Sequence, residues 1–401
     1  MVYRKSKLPL KTAIFDKAFS LLIKSNQDPL TVEDIKKMAI KKTGLNDFGD
    51  SYFEEGLVEL VKIANNNGMN SIGNLMLKSS LVHNLSNRLI LINELKTNKA
   101  IANVKMIPPI IIMGLPRSGT TLLHRMLTQD VNNKGIPFWE LFRPINEPDK
   151  KDYRKLKSKL ELKGANFIKG DVNHIHYTAH NEPEECVWLF GGTFNALLYW
   201  IQFPLYSYLD WFIEHDRIKK YIDYSHYLHY FQSQHPTKRL VMKSPEHSGS
   251  VLEIYNTIPE AILIETHRDP VECANSLNSL IYSIHRPSSI DIDKKELALA
   301  NLKLLESELK KNELARKNAK IKIIDVLYND LVSGPLKTIE TIYSKIGIDL
   351  DAATRLKMKA YLVENPKNKF GSHTYSAQSF GIDDEIVRKR LSRFDTIIET
   401  N

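Results

Sequence analysis

The spacing of apolar residues along this chain changes character near residue 100. Before it, apolar positions recur every three or four residues, as in Phe53, Leu57, Leu60, Val61 and Ala64, the pattern of one buried helix face. Thr31-Val-Glu-Asp and Ser51-Tyr-Phe-Glu each place a hydroxyl three residues before a carboxylate, so each predicts a helix start through a capping box. Residues 1–100 therefore read as an α-helical N-terminal extension. They carry no chemical motif, which predicts a role in packing or dimerisation.

From residue 108, short unbroken apolar runs alternate with helical patterns. Ile110–Met113, Arg239–Met242, Ala261–Glu265 and Lys320–Val326 read as strands, each followed by a helix. Strands apolar on both faces belong inside a covered sheet, so residues 101–401 are predicted to be an α/β domain with a parallel sheet flanked by helices. Neither an internal repeat, a low-complexity tract nor a clear linker is evident.

The first strand runs into a turn supplied by Gly114, Pro116 and Gly119, and Ser118–Leu127 is predicted helical. The first amides of such a helix lack intrahelical partners and point the positive end of its dipole at the turn, making a phosphate cradle. The nucleoside-triphosphate loop GxxxxGK[ST] would have a lysine after Gly119, where this chain has Thr120 and Thr121, and no obvious acidic strand end is present to anchor magnesium. Arg117 lies inside the loop instead, a permanently charged fork suited to phosphate or sulfate oxygens without a metal. A second strand ends at Arg268, and Pro270 opens the next helix in its favoured first-turn position. Arg-Asp-Pro can serve simply as a helix cap. Beside the first loop, it predicts two anion sites at successive strand ends, where ligands of open α/β sheets bind.

Gly114-Leu-Pro-Arg-Ser-Gly-Thr-Thr-Leu-Leu resembles the 5'-phosphosulfate loop of the sulfotransferases that use 3'-phosphoadenosine 5'-phosphosulfate (PAPS). The likeness spans roughly Lys105 to Gly381, to bacterial members and, in the loop, to tyrosylprotein sulfotransferases. It implies an enzyme with a P-loop-like sheet that moves a sulfuryl group from PAPS to a hydroxyl or amine of a small-molecule acceptor, with no metal. It further implies that Arg117, Ser118, Gly119, Thr120 and Thr121 hold the 5' end of the cosubstrate. Arg268 and Ser276, eight residues apart, match the pair that holds its 3'-phosphate. Lys243, at the end of Leu240-Val-Met-Lys, matches a lysine that touches the transferring sulfuryl group. Tyr328 matches a turn lining the adenosine, and Lys369 and Gly371 fall where the family closes a basic loop over the 3'-phosphate, with a surface loop as the alternative.

The acceptor proton needs a base. Glu140 lies about where relatives place a catalytic glutamate, although this chain has Trp-Glu-Leu rather than Glu-Glu-Thr. His180, in His-Asn-Glu-Pro-Glu-Glu, suits a base near neutral pH, and Glu184 is a third candidate; the alternative for Glu182 to Glu185 is the acidic first turn of a helix. His174, His176 and His180 suggest no metal site, because neither a helical HExxH nor a cysteine cluster accompanies them.

The aromatic run Trp188, Phe190, Phe194, Tyr199, Trp200, Phe203, Tyr206, Tyr208, Trp211 and Phe212 is predicted mostly as core; any that line an acceptor pocket imply an apolar acceptor body. The formal charge of +9 is diffuse, and the lysines between Lys294 and Lys322 fall outside the stripe Ala298, Leu302, Leu305 and Leu309, so nucleic acid is not an expected partner. Cys186 and Cys273 are too few for a disulfide framework, and neither a signal core nor a membrane-spanning run is apparent. A soluble cytoplasmic protein without membrane insertion is expected; homo-oligomerisation stays open. The rival readings are a P-loop kinase using magnesium and ATP, and a non-catalytic nucleotide-binding module that meets a partner through its helical lead.

Overall fold

The computed structural model describes residues 29–66, 68–169, 179–289, 291–317, 321–366 and 377–391. Five parallel strands, β1 Ile110–Gly114, β2 Asn133–Gly135, β3 Arg239–Lys243, β4 Ile262–His267 and β5 Ile323–Leu327, lie in the order β2-β3-β1-β4-β5. Ile110 registers with Val241 on one side and Ile262 on the other. Strand side chains alternate between the two faces. Ile110, Ile112, Val241, Ile264 and Val326 join one buried cluster, while Ile111, Met113, Leu240, Met242 and Leu263 join the other. All five residues of β1 are buried, and each large apolar side chain so buried stabilises the fold by roughly 1.5–3 kcal/mol. The four predicted strands are present. The fifth, β2, was not predicted, because Asn-Lys-Gly has no apolar pattern; it is an edge strand held by its pairing with β3.

The helices that matter for the site are α1 Val32–Thr43, α2 Phe53–Asn65, α3 Ser71–Thr97, α4 Thr120–Leu127, α5 Phe138–Phe142, α6 Arg154–Lys169, α7 Ile218–Gln234, α8 Pro270–His285, α9 Lys294–Lys317, α10 Tyr328–Ser333, α11 Pro335–Lys345 and α12 Ala352–Glu364. The capping box at α1 forms as expected, with the Asp34 amide donating to Thr31 Oγ1 at 3.1 Å and the Thr31 amide to the Asp34 carboxylate at 3.1 Å. Ser51 makes no such box. Asp50 takes the Tyr52 amide at 3.0 Å and its carbonyl receives Arg88 at 2.9 Å, so a buried arginine holds the turn into α2.

The helices before the sheet share its larger core: Ile35, Phe53 and Leu57 pack in one cluster with Phe190, Phe194 and Tyr199. Arg88 on α3 and Tyr52 both engage Asp223 on α7, the tyrosine hydroxyl at 2.6 Å. Of the aromatic run, Phe190, Phe194, Tyr199, Trp200, Phe203, Tyr208 and Phe212 are buried, as predicted. On α9, Ala298, Leu302 and Leu305 face inward while Lys295, Lys303 and Lys310 are exposed. Among the described residues, no helix is long and apolar enough to cross a membrane.

Candidate functional site at the strand ends

The turn after β1 is fixed from two sides. Gly114 has φ +142°, and a Cβ there would stand 2.4 Å from Thr266 Oγ1 on β4, so glycine is required. Its amide donates to Ser248 Oγ at 2.9 Å, and Ser118 Oγ donates to the Leu115 carbonyl at 2.7 Å while touching Thr266 Oγ1 at 2.6 Å. The Ser118 side chain is thus a buried staple of the turn. Arg117 (φ +73°) and Gly119 (φ +95°) take left-handed conformations that bend the chain into α4. Gly119 caps that helix without a side chain, leaving the first-turn amides free of a side-chain cap. Such an end binds anions through its N–H groups and dipole.

The other strand ends converge on this cradle. Arg268 follows β4, donates to the Arg117 carbonyl at 2.9 Å and to Glu272 at 2.8 Å, and lies 4.2 Å from the centre of the Tyr328 ring. Tyr328 begins α10 directly after β5, and its ring lies against Gly119. Asp269, rather than Arg268, caps α8, accepting from the Val271 amide at 2.8 Å. Ser276 is buried in the second turn of α8. At the end of β3, the buried Lys243 ammonium donates to Glu185 at 2.6 Å and reaches Thr121 Oγ1 at 3.5 Å. Lys369, Gly371, His174 and His176 lie outside the described residues.

Glu185 reaches Lys243 because its segment is pinned to the chain before α5. The Glu184 amide donates to the Ile136 carbonyl at 3.1 Å, the Phe138 amide to the Glu182 carbonyl at 3.1 Å, and Glu182 pairs with Arg125. Glu182 to Glu185 precede the 3-10 helix Cys186–Thr193 rather than forming the first turn of a helix. Glu184 is nearly buried, and its carboxylate accepts from the Glu185 amide at 2.9 Å.

Glu140 and His180 sit elsewhere. Burial raises the Glu140 carboxyl above its ordinary range, with Lys134 and Arg154 opposing, yet Glu140 is not part of the cavity wall that the strand ends face. His180 is not part of that wall either, its ring bonded to the Lys155 carbonyl of α6 at 2.9 Å. His124 on α4 is fully enclosed, bonded to the Val241 carbonyl at 3.0 Å, and pushed down to about 3 by burial and by the nearby Lys243 charge.

A cavity of about 890 Å³ opens beside the cradle. Arg117, Thr120, Thr121, Glu184, Glu185, Arg268 and Tyr328 form its polar end. The remainder is largely apolar: Phe138 and Phe142 of α5, Trp188, Trp200 and Phe203 of the aromatic run, and Leu277, Leu280, Ile281 and Ile284 of α8. Met76, His83 and Asn84 of α3 complete it. The N-terminal helices therefore supply a cavity wall as well as packing. Glu185 and these α3 residues escaped sequence reasoning. The run of carboxylates was the only signal for Glu185, and no α3 residue had one. One cluster of metal-ligating type occurs among the described residues, Glu265, His267 and Asp325, and the Arg316 guanidinium already sits on its carboxylates, 2.6 Å from Asp325.

A family model described as "Sulfotransferase family" matches residues 108–352. Over 301 residues, 72% of this chain and 75% of the relative, the sequence is 24% identical to "Omega-hydroxy-beta-dihydromenaquinone-9 sulfotransferase Stf3" of Mycobacterium bovis. The crystal structure of sulfotransferase STF1 from Mycobacterium tuberculosis H37Rv superimposes with a TM-score of 0.78 at 25% identity, covering 91% of this chain and 99% of that one. The fold is also that of sulfotransferase STF9 from Mycobacterium avium, with a TM-score of 0.82 at 22% identity, covering 93% and 98%.

Proposed function

This chain belongs to the sulfotransferase family, and from that premise we propose that it transfers a sulfuryl group from PAPS to the hydroxyl of an acceptor with a large apolar body. One observation carries the reading: the first turn of α4, Arg268 and Glu185, the last paired with the buried Lys243 behind it, meet at the polar end of a cavity whose remaining wall is largely apolar. The hydroxyl-bearing menaquinone acceptor in the name of the relative Stf3 has the same chemistry, a polar end on an apolar body.

In this reading the first amides of α4, with Arg117, Thr120 and Thr121, hold the 5'-phosphosulfate. Arg268 and Ser276 take the 3'-phosphate, and Tyr328 lines the adenosine. The acceptor hydroxyl enters from the apolar side and attacks sulfur in line. Its O–S bond forms as the bond from sulfur to the 5'-phosphate oxygen breaks. Lys243 offsets the charge that grows on the bridging and sulfuryl oxygens. The acceptor proton passes to Glu185, which replaces Glu140 and His180 as the favoured base because it lines the cavity beside Lys243. No step requires a metal. Both cysteines are free, which suits the cytoplasmic setting included in this proposal.

Calorimetric titration with 3',5'-adenosine bisphosphate tests the donor half without knowledge of the acceptor. Micromolar or tighter binding is expected, weakened roughly ten- to hundredfold by Arg268→Ala, the loss of a charge-assisted contact. A preference for magnesium-ATP would overturn the proposal in favour of a kinase.

A further inference from the structure

The cavity reaches solvent between elements whose outer faces are unusual. Lys42, Glu161, Gly164 and Pro366 line it and are themselves exposed, so it opens beside α6 and the end of α12. On α6, Leu162 and Ala165 face the cavity and Ser158 is fully buried, while Leu156 and Leu160, one helical turn apart, are 54% and 60% exposed on the opposite side. Tyr153, just before the helix, is exposed as well. Across the opening, Leu362 of α12 lines the cavity while Leu356 and Val363 are 65% and 81% exposed. Scattered surface leucines need no explanation, but exposed apolar residues recurring on the two helices that border the opening do.

Basic residues outnumber acidic ones on both helices, although on α12 the exposed Glu364 directly follows Val363. Helix α6 carries six basic residues and one carboxylate, Glu161, which Arg143 already pairs. Lys155, Lys159 and Lys163 are exposed and flank Leu156 and Leu160; Lys357 and Lys359 flank Leu356. Of the nearby carboxylates, Glu147 is paired with Lys150 and Lys157, and Asp152 with Arg154. An apolar stripe flanked by lysines matches a surface that is apolar beneath an anionic layer.

We infer that α6 and α12 dock this protein, through Leu156, Leu160, Leu356 and Val363 with their flanking lysines, on the surface of an anionic lipid bilayer, so that the cavity takes its apolar acceptor from the membrane. Charge complementarity selects the occupant, and the same two helices line the cavity with their other faces, which gives the contact its purpose. An acceptor of that kind has little solubility in water, so an enzyme that waits for it in solution is starved of substrate. The second half of the inference rests on the apolar-acceptor reading; the docking itself does not.

The test is co-sedimentation of the full chain with vesicles of phosphatidylcholine containing one-third phosphatidylglycerol, beside vesicles of phosphatidylcholine alone, without donor or acceptor. Binding to the anionic vesicles is expected, falling about tenfold or more with Leu156→Asp/Leu160→Asp and with Lys155→Glu/Lys159→Glu. Because these side chains are exposed, both variants should keep the affinity for 3',5'-adenosine bisphosphate, which shows that they fold. Failure to bind anionic vesicles, or equal binding by both variants, overturns the inference. A dimer that dissociates with Leu156→Asp/Leu160→Asp, without vesicle binding, also overturns it and assigns the face to a second copy. Bound enzyme that sulfates no apolar alcohol refutes the acceptor reading and leaves the docking standing.

Discussion

Lys243 and Glu185 are 58 positions apart in the chain and 2.6 Å apart in space. In the proposed reaction both residues act only while they stay together, because a buried ammonium without a counter-charge is costly. Glu185→Gln keeps an acceptor for Lys243 and removes the proposed base, so it is expected to lower kcat by roughly 10²–10⁴ while leaving 3',5'-adenosine bisphosphate affinity nearly unchanged. Single-turnover kinetics with labelled donor would check this. A comparable loss in Glu140→Gln, with Glu185→Gln near wild type, would return the role to Glu140. The lysine was legible in the sequence because a strand ended on it and the family resemblance marked that position. Its carboxylate partner was not, since the run Glu182 to Glu185 offers three carboxylates, among which only the pairing of Ile136–Phe138 with this segment decides.

At the scale of elements, the join between β1 and α4 is the most constrained part of the site. Gly119 is left-handed, and a Cβ on it would stand 3.0 Å from Tyr328 Cδ2 and 3.1 Å from Leu331 Cδ2. Gly119→Ala combines backbone strain with displacement of the ring beneath Arg268. A stability loss of about 1–3 kcal/mol is expected in urea unfolding, together with weaker 3',5'-adenosine bisphosphate binding. Unchanged binding would show that the cradle tolerates a shift of Tyr328. This join was readable because glycines, apolar strand and helix start are local signals. The edge strand β2 and the true start of α2 were not, because pairing with β3 and a buried Arg88 decide them from afar.

At the scale of the whole molecule, polar groups buried between the layers make the fold sensitive to acid. Burial pushes His124 and His247 each down to about 3, with Lys243 adding to the shift at His124 and Lys220 at His247. Between that value and the ordinary 6.5, the unfolded chain binds protons that the folded one refuses. The contribution of these two histidines is therefore flat above about pH 6.5 and falls as pH drops below it, by roughly 1.4 kcal/mol per pH unit for each. Denaturant unfolding at a series of pH values should show this slope, and His124→Gln should reduce it; an unaltered slope would mean that other groups govern acid unfolding. Local signals by themselves placed the four apolar strands, the helical lead, the glycine turn into α4 and the arginine and lysine at the strand ends, because each depends on neighbours in the chain; the roles expected of those two residues came from the resemblance. Only the tertiary structure decided that α3 walls the cavity, that Glu185 meets Lys243 and that Glu140 and His180 lie off the cavity wall. Those outcomes depend on which elements pack together, and apolar spacing fixes that an element is buried without fixing what it is buried against.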